Sequence, residues 1–400
     1  MSKNKQLART ALQFVLIIGI VNLFADMAYE GGRSITGPFL GSLGASAAVV
    51  GFVAGFGELL GYSLRSVSGY FADKTQRYWI VTFLGYLINV LAVPALALTG
   101  NWPLAAVLII AERTGRAIRK PAVDTMLSYA GKSIGSGWVF GLNEGLDQTG
   151  AALSPLIVAL ALYTKGGYRN GFGVLLVPAL LCLATLVVAR ILHPRPYEME
   201  KEPAHLSEAK GFPKAFWIFV GGGALIAAGF ADFSLIAFHF QKAATVAPKN
   251  IPLFYAVAMG AGALANLLFG RLFDRIEFPI VYIAFFVGAM FAPLVFFGSF
   301  WLALIGMAVW GIGMGAQNSL LKAILTGLMP ITKRSTGFGL FYTCYGIAWF
   351  VGSAAMGYLY DKWLTVLVVS SILLQLAALP VFFWGRAESK NLFQKRMTTL

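Results

Sequence analysis

The stretch "NLFADMAYEGGR" (Asn22–Arg33) spaces Asn22, Asp26 and Glu30 four residues apart, with Arg33 three beyond Glu30. On a helix such steps return to one face, so these side chains form a single polar stripe. Carboxylates and a guanidinium on one stripe can bind a polar solute, pass protons or pair with other charges. Similar sets follow. Glu58 in "GFGELLGYSLR" has Arg65 two turns later on its own face. "ERTGRAIRKPAVD" (Glu112–Asp124) packs six charges into thirteen positions, including Glu112, Arg113 and Arg116. "LNEGLDQTG" carries Glu144 and Asp147 three apart, and Asp232 precedes His239 by seven.

The surroundings of these charges are apolar. Of 400 residues 58% are hydrophobic and 12% charged, against about 25% charged in a soluble domain. Mean hydropathy is +0.74. Apolar blocks of roughly 20 residues or more match the thickness of a bilayer core, and a charge at its centre costs about 2.5–3.5 kcal/mol on insertion scales. The polar stripes are therefore expected to face a bundle interior or a water-filled cavity.

The blocks fall near 11–38, 44–71, 79–99, 103–124, 137–162, 173–192, 214–242, 251–273, 278–298, 301–322, 338–360 and 364–386. They are long and do not alternate, which favours helix over barrel strand. The reading is an all-α integral membrane protein with twelve transmembrane helices in two six-helix bundles, residues 1–192 and 214–400. Residues 193–213, rich in proline and glutamate, form an expected flexible linker. In "RKPAVD", Arg119, Lys120 and Pro121 are expected to mark the exit of the fourth span, because proline disfavours helix at the residue before it.

Net charge is +14, but most Lys and Arg fall on one side of the predicted spans. That is the positive-inside pattern, which places both termini in the cytoplasm and argues against a nucleic-acid partner. Cys182 and Cys344 sit singly in apolar blocks, so neither a disulfide framework nor a paired-cysteine metal site is expected. Lys3, Lys5 and Arg9 imitate a signal peptide, yet the apolar run continues past Asn22 without a cleavage pattern. An uncleaved first helix is expected.

The two halves repeat. "GYFADKTQRYWI" follows the second block and "GRLFDRIEFPIV" the eighth, with Gly69 and Gly270, and Asp73 and Asp274, each 201 apart. "FAD" recurs at 24–26 and 230–232, and "FGL" at 140–142 and 338–340, an offset of 198 for the latter. Duplicated bundles are a habit of secondary transporters.

With these motifs the chain resembles the major facilitator superfamily, over essentially its whole length. The carriers of the resemblance are the twelve-block plan, the charged middle linker and the G-x-x-x-D-[KR] loops, the first running from Gly69 to Arg77. The span-five signature is matched loosely, with Ser154 in "GAALSP" where the second glycine is usual. The resemblance implies two pseudo-symmetric bundles rocking around a central site. It further implies that Asp73 meets the start of span eleven near Gly337–Gly339, and Asp274 the start of span five near 135–137.

The expected function is gradient-driven movement of a small organic solute by alternating access, coupled to protons, in the inner membrane. Asp26, Glu30, Arg33, Glu58, Glu112, Arg113 and Asp232 are the candidates for solute binding or proton coupling. Asp73, Arg77, Arg116, Glu144, Asp147 and Asp274 are the candidates for gating, with an ion-pair network expected between spans four and five. The second half is richer in aromatics, among them Tyr255, Trp310, Tyr342 and Trp349, which suits an amphiphilic or aromatic solute. No nucleotide-cradling loop or catalytic triad appears, so no enzyme activity and no cofactor are expected, and the partners are solute, protons and lipid, with a monomer expected. Competing readings are a divalent-metal or inorganic-ion transporter, a channel, and a non-transporting receptor.

Overall fold

In lipid each backbone N–H and C=O must find its partner within its own segment, so long apolar blocks become helices. The computed structural model describes residues 3–45, 47–165, 167–200, 211–246 and 251–398, and no strand occurs among them. In chain order the helices are α1 (Lys3–Ser42), α2 (Ala47–Thr75), α3 (Tyr78–Ala95), α4 (Trp102–Ile134), α5 (Ser136–Lys165), α6 (Tyr168–Val174) and α7 (Leu176–Leu192). After the linker come α8 (Lys214–Gly229), α9 (Phe233–Lys242), α10 (Ile251–Ile276), α11 (Phe278–Ala289), α12 (Phe291–Phe296), α13 (Phe300–Leu328), α14 (Arg334–Lys362) and α15 (Leu364–Thr398).

The predicted count of twelve is not an exact count. Three predicted spans are interrupted, at Leu175, at 230–232 and at Met290. Among the described residues nine stretches are long and apolar enough to cross a membrane. The α4 helix is not one of them because its charges are too dense. The α8 helix is too short.

The fourth span does not end at Lys120. Instead α4 runs through Pro121 to Ile134, and Arg119, Lys120 and Asp124 are buried rather than exposed anchors. Proline has no N–H, so the carbonyl four residues earlier loses its helical donor. That carbonyl belongs to Ala117, and Ser68 Oγ of α2 donates to it at 2.8 Å. A neighbouring hydroxyl thus replaces the missing bond, and the helix continues.

The chain forms two compact units: Met1–Ile134 with Leu146–Glu202 and Thr332–Thr343, and Gly135–Gly145 with Pro203–Ile331 and Cys344–Leu400. Each unit therefore includes one helix start from the other half of the sequence. In the first unit Ile35, Phe39, Val93, Ile109, Val158 and Phe172 pack as an apolar core. In the second, aromatic rings dominate: Phe230 lies 5.3 Å from Trp310 and 5.1 Å from Phe291, and Phe382 lies 5.3 Å from Phe285. Leu180, Leu264 and Leu373 are among large apolar side chains left on the outside, the surface that a membrane protein offers to lipid.

The repeat is visible in the turns. Gln76, after α2, and Glu277, after α10, both have positive φ, 55° and 53°, and they are 201 apart. Each closes the last turn of its helix, Gln76 N donating to Ala72 O at 2.9 Å and Glu277 N to Phe273 O at 2.8 Å. The linker is not wholly free: Pro196–Met199 is a short 3-10 helix, and Ser133 Oγ donates to the Met199 carbonyl at 3.1 Å. Residues 201–210 lie outside the described residues.

Candidate functional site

The first unit gathers charge around α1, α3 and α4. Arg113, Arg116 and Arg119 are three apart along α4, so they climb adjoining faces. Arg119 donates to Asn22 Oδ1 at 3.0 Å and to Asn89 Oδ1 at 3.2 Å, lies 4.0 Å from Asp26 Oδ1, and stacks 4.2 Å from the Tyr86 ring. The Tyr86 hydroxyl also donates to Asn22 Oδ1. Asn89 Nδ2 donates to Glu112 Oε1 at 2.7 Å, and Glu112 Oε2 lies 3.3 Å from Arg113 Nε. Tyr29 serves three arginines: Arg113 and Arg33 donate to its hydroxyl, the latter at 3.4 Å, and Arg116 lies 4.3 Å from its ring centre. Aromatic faces attract guanidinium charge by about 0.5–2 kcal/mol each, more when water is absent.

Asp26 sits within this cluster at 4% exposure, and its Oδ1 has no hydrogen-bond partner. Asp147, Arg116 and Glu30 are its other charged neighbours. Glu30 faces Arg33 at 3.4 Å, at a more open position. The side chain of Glu58 lies outside the described residues.

The expected network between spans four and five is redrawn. Asp147 does neighbour Arg116, and Glu144 forms a buried pair with Lys322 of α13. The reason is the division within α5: residues up to Gly145 pack in the second unit and those from Leu146 in the first. Arg77 is exposed in the turn before α3.

Two carboxylates hold helix starts. Asp73 accepts from the backbone nitrogens of Ser335 at 3.2 Å and Thr336 at 2.6 Å, from the Thr336 hydroxyl at 2.6 Å and from the Tyr78 hydroxyl at 2.9 Å. This is the first turn of α14, ahead of the expected 337–339. Asp274 accepts from the backbone nitrogens of Gly137 at 2.8 Å and Trp138 at 2.6 Å, the first turn of α5. First-turn N–H groups have no partner within the helix, and the positive end of its dipole favours a carboxylate there. Gly137 and Ser335, like Trp138 and Thr336, are 198 apart, the "FGL" offset.

The approach is close enough to require glycine. A Cβ on Gly69 would collide with the Ser335 carbonyl, and one on Gly270 with the Gly137 carbonyl. Beside the first clasp, Arg334 makes a two-pronged pair with Glu200, both bonds 3.0 Å, and Lys132 joins Glu200 at 3.0 Å.

In the second unit α8 stops at Gly229 and α9 begins at Phe233. The freed carbonyls find side chains: Ser371 Oγ and Gln375 Nε2 donate to Gly229 O at 2.6 and 3.1 Å, and Trp310 Nε1 to Ala231 O at 2.9 Å. Asp232, at this break, accepts from Trp349 Nε1 at 2.5 Å and from the Ser353 hydroxyl. His239 Nδ1 lies 3.1 Å from the Tyr360 hydroxyl. Asp26 and Asp232 therefore differ in setting, one amid arginines in a continuous helix and the other at a helix break beside tryptophan.

The Major Facilitator Superfamily model matches residues 18–298 and 220–397. This chain belongs to that superfamily. An uncharacterized protein of Mycobacterium tuberculosis is 38% identical to the facilitator over 382 residues, 94% of this chain and 93% of the relative. Among solved structures, a bacterial homologue of the iron transporter ferroportin in its outward-facing state superposes with TM-score 0.73 at 14% identity, over 94% of this chain and 99% of that one. The E. coli fucose:proton symporter gives 0.69 at 14%, over 94% and 98%. The facilitator is a multi-pass membrane transporter and not an enzyme.

Several members of these polar clusters are outside the candidate set that the sequence offers. Arg119 was assigned to an anchor, although its spacing of three from Arg116 and Arg113 was a usable signal. Lys322, a charge at the end of the tenth apolar block, was a usable signal too, whereas Asn89, Tyr86 and the Glu200–Arg334 pair gave none, since their partners lie 23 to 134 positions away in sequence.

Proposed function

We propose that this facilitator carries a small organic solute across the cytoplasmic membrane by alternating access, coupled to protons, with both termini in the cytoplasm. The observation that carries the reading is Asp26: buried, flanked by Arg116 and Arg119, and left with an oxygen that no donor reaches. Burial penalises the charged form of a carboxylate, and nearby guanidiniums favour it. A shift of either arginine during the cycle would thus take up or release a proton. Asp73 and Asp274 are proposed as latches that free the starts of α14 and α5 as the cycle turns.

The likeness to a fucose:proton symporter is compatible with this reading. Iron is named for the ferroportin homologue, but among the described residues no three His, Cys, Asp or Glu side chains come together as a metal site, which favours the organic solute. The test uses the full chain in liposomes enclosing a pH-sensitive dye, challenged with fucose, succinate and an amphiphilic amine. Solute-dependent proton movement is expected, and Asp26→Asn should abolish it. Solute uptake that ignores a collapsed proton gradient rejects the coupling.

A further inference from the structure

Buried cations of the first unit have acids beside them: Arg113 has Glu112, Arg119 has Asp26, Lys120 has Asp124 at 3.8 Å, and Arg334 has Glu200. Arg65 on α2 differs. It is 8% exposed, forms no ion pair with a described residue, and its Nε has no hydrogen-bond partner. Its guanidinium carbon lies over two rings, 4.4 Å from the centre of Tyr62 and 4.5 Å from that of Tyr342.

Rings engage the flat faces of a guanidinium, but its five N–H donors lie in the plane and point outward from the edge. The two rings therefore attract the charge while leaving the directional bonds unmade. An oxyanion approaching in the plane is the complementary group, since two parallel N–H···O bonds fit a carboxylate or phosphate. The Tyr342 hydroxyl is turned away, donating to Asp124 Oδ2 at 2.5 Å. Lys120 already offsets the charge of Asp124, so that acid does not fill the role.

The repeat supplies an independent observation. Asn266 on α10 is 201 positions after Arg65. It is wholly buried, and neither atom of its amide has a partner. Gly339 is packed against the Arg65 carbonyl and Gly141 against the Asn266 carbonyl, and those glycines are 198 apart. One register position in both repeats thus keeps an unsatisfied polar side chain inside the protein, where nearly all buried polar groups find partners. Packing alone gives no reason for that.

We propose that Arg65 binds an oxyanion of the transported solute through the N–H edge left open beside Tyr62 and Tyr342. This rests on the transport reading and narrows its solute to a carboxylate or a phosphate compound.

Thermal unfolding of the purified full-length chain is followed with succinate, inorganic phosphate or fucose, chloride holding ionic strength constant. Ligand that binds only the folded state raises the midpoint. Succinate or phosphate should raise it saturably by several degrees, and whichever does so separates carboxylate from phosphate chemistry. Arg65→Gln should abolish the rise, each variant being compared with its own ligand-free midpoint. Arg65→Lys keeps the charge without the planar fork and should weaken binding roughly tenfold. No rise with either anion, an equal rise with fucose, or a rise that survives Arg65→Gln overturns the proposal. The thermal shift is read with no proton gradient and the dye reads proton movement apart from it, so anion binding and proton coupling fail separately.

Discussion

Asp73 accepts two hydrogen bonds from Thr336, one from its backbone nitrogen and one from its hydroxyl, each at 2.6 Å. Bonds to a charged acceptor contribute about 1.5–3 kcal/mol. Asp73→Asn keeps the shape, loses the charge and turns an N–H toward donors. It should lower the transport rate roughly tenfold, the equivalent of about 1.4 kcal/mol, and Asp274→Asn should do likewise. Initial rates in liposomes decide it, and full activity in both variants would remove the latches from the mechanism.

Gly69 and Gly270 tolerate no side chain. Alanine at either must push a neighbouring backbone carbonyl aside, and overpacking of this kind costs about 1–3 kcal/mol. Both variants should unfold at lower temperature than the parent. Gly221→Ala, on α8 with nothing within 4 Å of the added carbon, should match the parent or exceed it, as expected where helix gains alanine for glycine.

Ser68 and Pro121 form a compensating pair. Ser68→Ala strips the Ala117 carbonyl of its donor, and an unsatisfied buried acceptor costs about 1–3 kcal/mol. Adding Pro121→Ala restores a backbone N–H four residues on, so the double variant should recover much of the loss. Additive destabilisation in a thermal double-mutant cycle would contradict the account of how α4 continues.

Glu144 and Lys322 are buried together, so removing one strands the other. Glu144→Gln or Lys322→Met alone should each cost about 3–5 kcal/mol, whereas the pair changed together should cost far less. Thermal midpoints of the two single variants and the double variant measure the difference.

Periodicity and composition exposed the helical membrane architecture, because lipid allows few alternatives to a long apolar helix. The repeat offsets exposed more: Asp73 and Asp274 share a local motif, and the helix starts they hold are separated by the offset of "FGL". Polar partners were far less legible. "RKPAVD" reads as an exit because proline usually ends helices, and only the hydroxyl of Ser68, 49 positions from Ala117, reverses that local rule. Glu144 and Asp147 look like one feature in sequence, yet their α5 segment is divided between two units, so one finds Lys322 and the other Arg116. Arg65 pairs on paper with Glu58. Its neighbours in space are rings, one of them 277 positions away at Tyr342.

The break at 230–232 is not slack chain. The carbonyls of Gly229 and Ala231 are pinned by side chains from α15 and α13, and the carboxylate of Asp232 is gripped by two residues of α14. The joint behaves as a bolted elbow. Bending it requires undoing named fastenings on three helices, so any motion of α9 against α8 must be announced to α13, α14 and α15 together.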